Sequence, residues 1–237
     1  MMVPVLAVVF VLCLSLVIWR PPAGVIEALA KHWPQVLWQA DVKEQVVALT
    51  IDDGPSEFTE EILGVLKANG ATATFFVIGS HIPGRDRMLQ QLLQDGHELG
   101  NHGMYDEPAW RLSDDALFSQ IRTVDQQIGT IYDSIEKPHP SKLFRPGSGF
   151  FSSRMLKVVA TLGYRLILGG IYPHDAQIGL WRLNAWHIRS LIRPGGIIIC
   201  HDGRPWTTPM LRRVLPDLKR KNYRIVSVSS LLQSQCT

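Results

Sequence analysis

The sequence predicts an α/β protein with about seven parallel strands, arranged as an open sheet or closed into a barrel. Apolar segments of strand character alternate with helical segments from Gln45 almost to the end of the chain, and this alternation is typical of parallel sheets. Caps and glycines stand where the helices are expected to begin and end. The 237 residues, 46% of them hydrophobic, suffice for one globular domain with a large core.

The first predicted strand is residues 45–51, because Val, Leu, Thr and Ile favour a buried, pleated chain. Asp52, Asp53, Gly54 and Pro55 then form a turn that ends it. Six further strands are predicted at residues 72–78, 97–101, 143–145, 164–169, 196–200 and 223–228. Helices are predicted between them at residues 57–69, 85–95, 113–135, 152–162, 181–192 and 209–221, the last with a kink at Pro216.

The N-terminal residues are expected to enter or cross a membrane. Val3 to Trp19 is an uncharged, nearly all apolar run of 17 residues, at the lower edge of the length that spans a bilayer. A cleaved signal peptide and a buried core helix are the alternatives to an uncleaved anchor, but the basic segment of a signal peptide is missing. We predict a membrane-anchored or secreted protein with an extracytoplasmic domain. Its parts are an anchor or signal peptide at residues 1–22, a linker at 23–44, the domain at 45–232 and a tail at 233–237.

Charge and cysteine spacing argue against two classes of function. The 24 basic and 21 acidic residues give a net charge of +3, which is too small an excess for a nucleic-acid-binding surface. Cys13, Cys200 and Cys236 lack the C-x-x-C spacing of zinc or redox sites. Cys200 is interpreted as a small buried apolar residue. A disulfide between Cys200 and Cys236 is the alternative, although no feature of the sequence requires it.

Unusual polar residues follow six of the predicted strands. In parallel α/β folds the carboxyl ends of the strands meet at one rim, where active sites assemble. We therefore predict that these residues form an active site. In strand order they are Asp52 and Asp53, Ser80 and His81, Asn101 and His102, Arg145, His174 and Asp175, and His201 and Asp202.

Asp53, His102 and Asp106 are candidate ligands of a divalent metal ion. His102 and Asp106 lie four residues apart in a segment rich in turn formers, and one histidine with two carboxylates leaves coordination positions for water and substrate. Neighbouring side chains of a regular strand point to opposite faces, so Asp52 and Asp53 reach one site only if the backbone turns between them. The alternatives are a polar turn that caps the next helix and a hydrogen-bonded loop histidine.

Four tracts resemble, in this order, the motifs of the polysaccharide deacetylases, the NodB-homology carbohydrate esterases. They are Thr50-Ile51-Asp52-Asp53-Gly54-Pro55, His102 with a second ligand position four residues on, Arg145-Pro146-Gly147-Ser148-Gly149 and Ile199-Cys200-His201-Asp202. The resemblance covers about Gln45 to Leu232. It implies a distorted (β/α) barrel, preceded here by the N-terminal apolar helix. It also implies a divalent metal ion, commonly zinc, that supports removal of acetyl groups from N-acetylated or O-acetylated sugars.

The resemblance implies a catalytic role for several matching residues. Asp52 is expected to be the general base that takes a proton from water, and His201 the general acid that protonates the departing amine. Arg145 is expected to orient the Asp52 carboxylate. The backbone N–H near Ser148 is expected to help stabilise the oxyanion. Asp175 stands roughly where the family has an Asp-Trp motif, and we expect it to orient Arg145 or to tune His201, with ordinary loop polarity as the alternative.

The metal site departs from the family pattern at one position. Asp53 and His102 match family ligands, whereas Asp106 stands where the family has a second histidine. A second carboxylate is expected to leave zinc a weaker Lewis acid, so that Mn²⁺ or Co²⁺ competes better.

Aromatic residues near the rim are candidates for stacking on sugar rings. Trp110 and Trp206 follow rim loops, and Tyr105 lies between His102 and Asp106; ordinary packing is the alternative.

Together with this resemblance, the sequence predicts a metal-dependent hydrolase that removes acetyl groups from N-acetylated sugars of a chitin-like or peptidoglycan-like glycan. A catalytically inactive glycan-binding protein of the same fold is the main alternative. A phosphatase is disfavoured, because such enzymes need a second aspartate two positions after the first.

Overall fold

The computed structural model describes residues 15–139 and 142–235. The strands are β1 (Val36–Leu37), β2 (Val46–Gly54), β3 (Thr74–Val77), β4 (Glu98–Asn101), β5 (Leu143–Phe144), β6 (Arg165–Ile167), β7 (Ile197–His201) and β8 (Arg224–Val226). The helices are α1 (Ala23–His32), α2 (Thr59–Ala68), α3 (Asp86–Gln94), α4 (Asp114–Asp133), α5 (Ser153–Thr161), α6 (Trp181–Leu191), α7 (Thr207–Arg220) and α8 (Val228–Gln233).

The eight described strands form one parallel sheet. Its hydrogen-bonded order is β1-β6-β5-β4-β3-β2-β7, and β8 pairs with the first residues of β2. Beyond β6, Ile171 bridges Ile198 of β7, which lies at the other end of this order. The bridge draws the two ends of the sheet together, so the sheet curls into a partly closed barrel. The predicted distorted barrel of parallel strands is confirmed in this respect.

Strand β2 shows how the sequence positions polar residues at the rim of the barrel. Its odd-numbered residues from 47 to 51 belong to a core cluster shared with α2, α3 and α7. Its residues 46 and 48 belong to a second cluster, to which α8 contributes Val228 and Leu231. Thr50 and Asp52 continue this second face toward the carboxyl end and are buried there. The inner face of β2 is therefore apolar at one end and polar at the other.

The seven predicted strands are present as β2 to β8, with several differences in detail. Strand β1 and helix α8 were not predicted. Strand β2 extends to Gly54, so the two acids lie within its last residues instead of after it. Helix α7 begins at Thr207 and continues past Pro216. The predicted cap of α4 is confirmed, because Ser113 Oγ accepts a hydrogen bond from the Ala116 N–H at 3.2 Å.

The predicted leader lies mostly outside the described residues. Of residues 1–22 the structure describes 15–22, and residues 15–19 are helical. Within the described part of the chain, no helix is long and apolar enough to cross a membrane. The predicted apolar N-terminal helix is therefore not confirmed, and α1 occupies part of the predicted linker. Cys200 is buried as predicted, whereas Cys13 and Cys236 lie outside the described residues.

Candidate active site

A cavity of about 630 Å³ opens at the carboxyl ends of the strands. Seven of the predicted site residues line it, and they come from strands or loops that are far apart in the sequence. They are Asp52, Asp53, His102, Asp106, Arg145, Ser148 and His201, and the predicted rim residue His174 is an eighth. The polar residues that follow the strands therefore meet around one space, as the parallel topology requires.

Arg145 holds Asp52 in the wall of this cavity. Asp52 Oδ1 accepts a hydrogen bond from Arg145 Nη1 at 2.6 Å, and both side chains are buried. The same guanidinium donates to Thr50 Oγ1 at 2.5 Å. It also donates to the carbonyl oxygens of Leu168 at 2.6 Å and Ile167 at 3.3 Å. A guanidinium bonded on all sides in this way fixes the direction of the carboxylate.

The backbone turns between Asp52 and Asp53. Asp53 has a φ of 68°, in the left-handed region that regular strands do not use. The pairing of β2 with β3 shifts in register between Asp52 and Gly54. Because of this turn, both acids line the same cavity, which two neighbouring residues of a regular strand cannot do. The Asp53 carbonyl accepts a hydrogen bond from His81 Nδ1 at 2.9 Å, which holds the turn.

Asp53 and His102 form a buried pair. Asp53 Oδ1 lies 3.4 Å from His102 Nε2, and His102 Nδ1 donates to the Arg145 carbonyl at 2.7 Å. Burial lowers the pKa of His102, but the hydrogen bond and charge of Asp53 outweigh burial, and the pKa is raised. Burial raises the pKa of Asp53, but the bond to His102 and the positive charges nearby bring it below its ordinary value.

Two of the three predicted metal ligands fit a divalent cation. A carboxylate and an imidazole are donors that zinc accepts, and a bond from Nδ1 to a carbonyl is the usual support of a ligating histidine. Asp106 lines the same cavity but is exposed. Among residues 15–139 and 142–235, no group of three His, Cys, Asp or Glu side chains is close enough to hold a metal. Asp106 as the third ligand therefore stays a prediction.

Asp175 holds His201 and raises its pKa to about 9. Asp175 is fully buried. Its Oδ1 accepts from His201 Nδ1 at 2.9 Å and its Oδ2 from the His201 backbone N–H at 2.8 Å. Burial lowers the pKa of His201. The charge and hydrogen bond of Asp175, together with the charges of Asp52 and Asp53, raise this pKa by more than burial lowers it. The imidazole is therefore protonated at neutral pH and has a proton to donate. Of the two roles expected for Asp175, these contacts support the tuning of His201.

Asp52 and His201 occupy paired positions on neighbouring strands. The parallel register of β2 and β7 places the Cα atom of Asp52 opposite that of His201. Neighbouring strands lie about 4.8 Å apart. The N–H of Asp202, the residue directly after β7, donates to the Asp52 carbonyl at 2.8 Å. A carboxylate suited to accept a proton and an imidazole suited to donate one therefore flank the same space.

The predicted sugar-binding residues lie in different environments. Ser148 lines the cavity. Tyr105 and Trp110 are exposed side chains that do not line it. Trp206 does not line it either, and its Nε1 atom donates to the Asp175 carbonyl at 2.8 Å. Trp206 therefore supports the loop that carries Asp175.

Four residues that support the site were missed in the sequence, namely Thr50, Ser56, Thr59 and Arg204, and two of them bond the predicted rim residue Asp202. Asp202 is buried and accepts hydrogen bonds from Ser56 Oγ at 2.6 Å and Thr59 Oγ1 at 2.5 Å. These bonds tie the turn after β2 to the end of β7. Arg204 Nη2 donates to Asp53 Oδ2 at 3.3 Å, and Thr50 contacts Arg145. The sequence does carry one indication of this supporting role for Ser56 and Thr59, because both hydroxyl residues follow the two acids closely and stand at the start of a helix.

Comparison with known proteins identifies the family. Residues 39–167 match the profile named "Polysaccharide deacetylase". A peptidoglycan-N-acetylglucosamine deacetylase of Bacillus cereus is 32% identical over 206 residues, which cover 84% of this chain and 93% of the relative. The chain belongs to the polysaccharide deacetylase family. This deacetylase is also similar to a chitooligosaccharide deacetylase of Bradyrhizobium sp., with 28% identity over 195 residues that cover 76% of this chain and 87% of the relative.

Solved structures share the fold of this deacetylase. A family pseudoenzyme from Bacillus anthracis superposes with a TM-score of 0.75 at 23% identity, covering 83% of this chain and 68% of that one. At this identity the similarity shows the fold alone. The family and the enzyme class predicted from the sequence, a hydrolase of amide bonds in N-acetylated glycans, are confirmed by the family match.

Proposed function

We propose that this deacetylase removes the acetyl group from N-acetylglucosamine units of a peptidoglycan-like or chitin-like glycan, with the help of a divalent metal ion. The substrate is supported by the relatives, which are named as deacetylases of peptidoglycan N-acetylglucosamine and of chitooligosaccharides. The observation that carries the proposal is the pairing of Asp52 with His201 at one cavity. A separated base and acid serve a hydrolase, whereas a binding module has no use for them.

In the proposed reaction a water molecule attacks the carbonyl carbon of the acetamide group. Asp52, whose direction Arg145 fixes, accepts a proton from this water as the new C–O bond forms. His201 donates its Nε2 proton to the nitrogen as the C–N bond breaks, and the products are acetate and the free amino sugar. Asp175 stabilises the charged imidazole, so the proton is in place at neutral pH. Each proton that moves has a positioned donor or acceptor.

Asp53 and His102 are the residues that would hold the metal ion. A bound ion would supply Lewis-acid chemistry, which polarises a carbonyl and makes water more acidic. Zinc suits an imidazole and a carboxylate. Mn²⁺ and Co²⁺ are the alternatives if Asp106 adds a second carboxylate, because harder ions prefer oxygen donors.

The N-terminal apolar run is proposed to hold the protein at a membrane, with the domain on the extracytoplasmic side. The support is the uncharged, nearly all apolar composition of residues 3–14, which is that of a membrane-inserted segment and which precedes the residues that lie against the domain. Fractionation of cells that express the full chain, followed by protease treatment of intact cells or spheroplasts, tests both parts. Recovery of the chain in the soluble cytoplasmic fraction would contradict them.

Acetate release from N-acetylglucosamine oligomers tests the proposed activity. The full-length protein is stripped of metal and then supplied with Zn²⁺, Mn²⁺ or Co²⁺. We expect release with at least one ion. We expect Asp52→Asn to lower kcat by about 10²- to 10⁴-fold, because an amide cannot accept the proton. Asp133→Asn is the matched control, since Asp133 is an exposed carboxylate at the end of α4.

A catalytically inactive glycan-binding protein is the second candidate, because the fold is shared with a family pseudoenzyme. The paired Asp52 and Arg145, and the paired His201 and Asp175, argue against it. Binding of the oligomers without acetate release under any of the three ions would favour this second candidate. Neither binding nor release would contradict the proposed substrate class.

A further inference from the structure

The described end of the leader, residues 15–20, packs against the rim of the cavity. Ile18 is one of the residues that line the cavity. The Trp19 carbonyl accepts a hydrogen bond from His174 Nε2 at 2.8 Å, across 155 positions of sequence. Arg20 Nη2 donates to the Ser190 carbonyl of α6 at 3.2 Å. The leader end is therefore bound to the domain on both sides of Trp19.

The Trp19 ring packs among aromatic side chains of the domain. It stacks on His174, with ring centroids 6.3 Å apart and an angle of 13° between the planes, and on Trp186 at 6.1 Å. The Trp19 and His187 rings lie nearly perpendicular to each other, with centroids 4.8 Å apart. His187 is fully buried, and neither ring nitrogen has a hydrogen-bond partner among the described residues. The contact is thus apolar and aromatic, which favours a tightly packed position for the indole.

His174, the main partner of Trp19, has an unusual backbone conformation. Its φ is 62°, in the left-handed region that residues other than glycine rarely adopt. Such a conformation persists only where the surroundings hold it. The His174 carbonyl accepts N–H groups of Gln177 at 3.1 Å and Ile178 at 2.8 Å, and its ring is held by Trp19. The conformation of His174 sets the direction in which the chain enters Asp175.

Asp175 is thereby held from two sides. Its side chain bonds His201 through both oxygens, and its carbonyl accepts from Trp206 on the side of α7. Trp19 and His174 hold the preceding residue on the other side. We infer that Trp19 is a positioning residue for the His201 and Asp175 pair. The inference rests on the proposed function, in which His201 donates the proton to the leaving nitrogen.

The test compares three variants of the full-length protein in detergent: Trp19→Ala, Trp19→Phe and Leu16→Ala. We expect Trp19→Ala to lower kcat on the order of 10-fold, because small displacements of a catalytic pair are costly. The KM for N-acetylglucosamine oligomers is expected to stay unchanged, since Trp19 does not line the cavity. Trp19→Phe keeps an aromatic ring and is expected to restore most of the kcat. Leu16, an exposed residue of the same segment, serves as the matched control.

Each outcome has a defined meaning. Equal kcat values for wild type and Trp19→Ala would overturn the inference while leaving the proposed function intact. A wild-type protein without activity under any ion would overturn the proposed function instead. If Trp19→Ala lowers the melting temperature, His174→Asn replaces it, because asparagine tolerates the left-handed backbone while the variant removes the bond to the Trp19 carbonyl and the ring contacts of His174 with Trp19, Tyr172 and His187. An unchanged kcat in a folded His174→Asn protein would also overturn the inference.

Discussion

At the scale of single residues, each of the two side chains proposed to be catalytic is held by a buried partner of opposite charge. Arg145 is buried behind Asp52, and Asp175 is buried behind His201. Burying a charge is unfavourable unless a partner and further hydrogen bonds satisfy it. Arg145 meets this condition with two carbonyls and a hydroxyl, and Asp175 meets it with two N–H groups of His201. The two pairs therefore fix the direction of the Asp52 carboxylate and the protonation state of the His201 imidazole.

The pKa of His201 depends on Asp175, and the variant Asp175→Asn tests this. Without the carboxylate, we expect the pKa of His201 to fall from about 9 toward its ordinary value of 6.5. Since only the protonated imidazole can act as the acid, the alkaline limb of the pH profile is expected to move to lower pH. The measurement is kcat/KM between pH 5.5 and 10, which reports groups of the free enzyme. An alkaline limb that stays near pH 9 in the variant would contradict the assignment.

The third metal-ligand position is tested by Asp106→His. A second histidine replaces a charged oxygen donor with a neutral nitrogen donor, which zinc accepts well. We expect zinc affinity and zinc-dependent activity to be retained or raised. Isothermal titration of the metal-free protein with Zn²⁺ measures the affinity independently of turnover. Complete loss of zinc binding in this variant would count against the expectation that a histidine can replace Asp106 as a ligand.

The site residues could be predicted as a group from their positions after strands, but their pairings could not. Sequence spacing indicates that Asp52, Arg145 and His201 reach one rim. It leaves open whether Asp175 contacts Arg145 or His201, because that depends on a loop held by Trp206 and on side-chain directions. Spacing likewise leaves open whether Trp206 stacks on a sugar ring or packs within the domain; in the structure its Nε1 atom donates to the Asp175 carbonyl.

At the scale of elements, strong periodicity allowed β2 to β8 and α2 to α7 to be predicted, with boundaries shifted by a few residues. β1 has only two residues and forms because it pairs with β6, so no local pattern indicates it. The six-residue α8 directly follows β8, and its apolar residues read equally well as the end of a strand. Both elements owe their existence to contacts with distant parts of the chain.

Two loops at the rim pack so closely that Gly147 has no room for a side chain. A Cβ atom at this position would lie 2.1 Å from the Glu107 carbonyl oxygen. That atom belongs to the backbone, so one of the loops must move. We expect Gly147→Ala to lower the free energy of unfolding by about 1–3 kcal/mol, measured by urea denaturation.

Gly64→Ala is the matched control for this prediction. Gly64 lies in the exposed face of α2, and nothing stands within 4 Å of an added Cβ atom. Alanine is the better helix former, so this variant is expected to gain about 0.5–1 kcal/mol. Equal stability of Gly147→Ala and wild type would show that the two loops can separate freely.

At the scale of the whole molecule, the barrel separates the part that gives stability from the part that carries chemistry. One end of its interior is filled by the apolar cluster that α8 closes. The other end is open and lined by acids, imidazoles and Arg145. A parallel sheet makes this division possible, since all strands end at the same rim.

Two buried histidines, His97 and His187, and the partly buried His201 predict that the metal-free protein is most stable near pH 6.5. Burial lowers the pKa of His97 and of His187 to about 4. The unfolded chain binds these two protons first, so stability falls as the pH drops from 6.5 toward 4. His201 behaves in the opposite way, because its pKa is about 9 in the folded state. Its contribution to stability is complete below pH 6.5 and is lost as the pH rises through 9.

The free energy of unfolding of the metal-free protein between pH 4 and 9.5, from urea denaturation, checks this prediction. From pH 6.5 to 9, we expect the titration of His201 to remove on the order of 3 kcal/mol. His201→Asn lacks this titrating group, so its loss of stability over this range is expected to be smaller, and the part that remains comes from His102, whose pKa is also raised. On the acid side, both proteins are expected to lose stability alike, because His97 and His187 are unchanged. A wild-type protein with constant stability between pH 6.5 and 9 would contradict the raised pKa of His201.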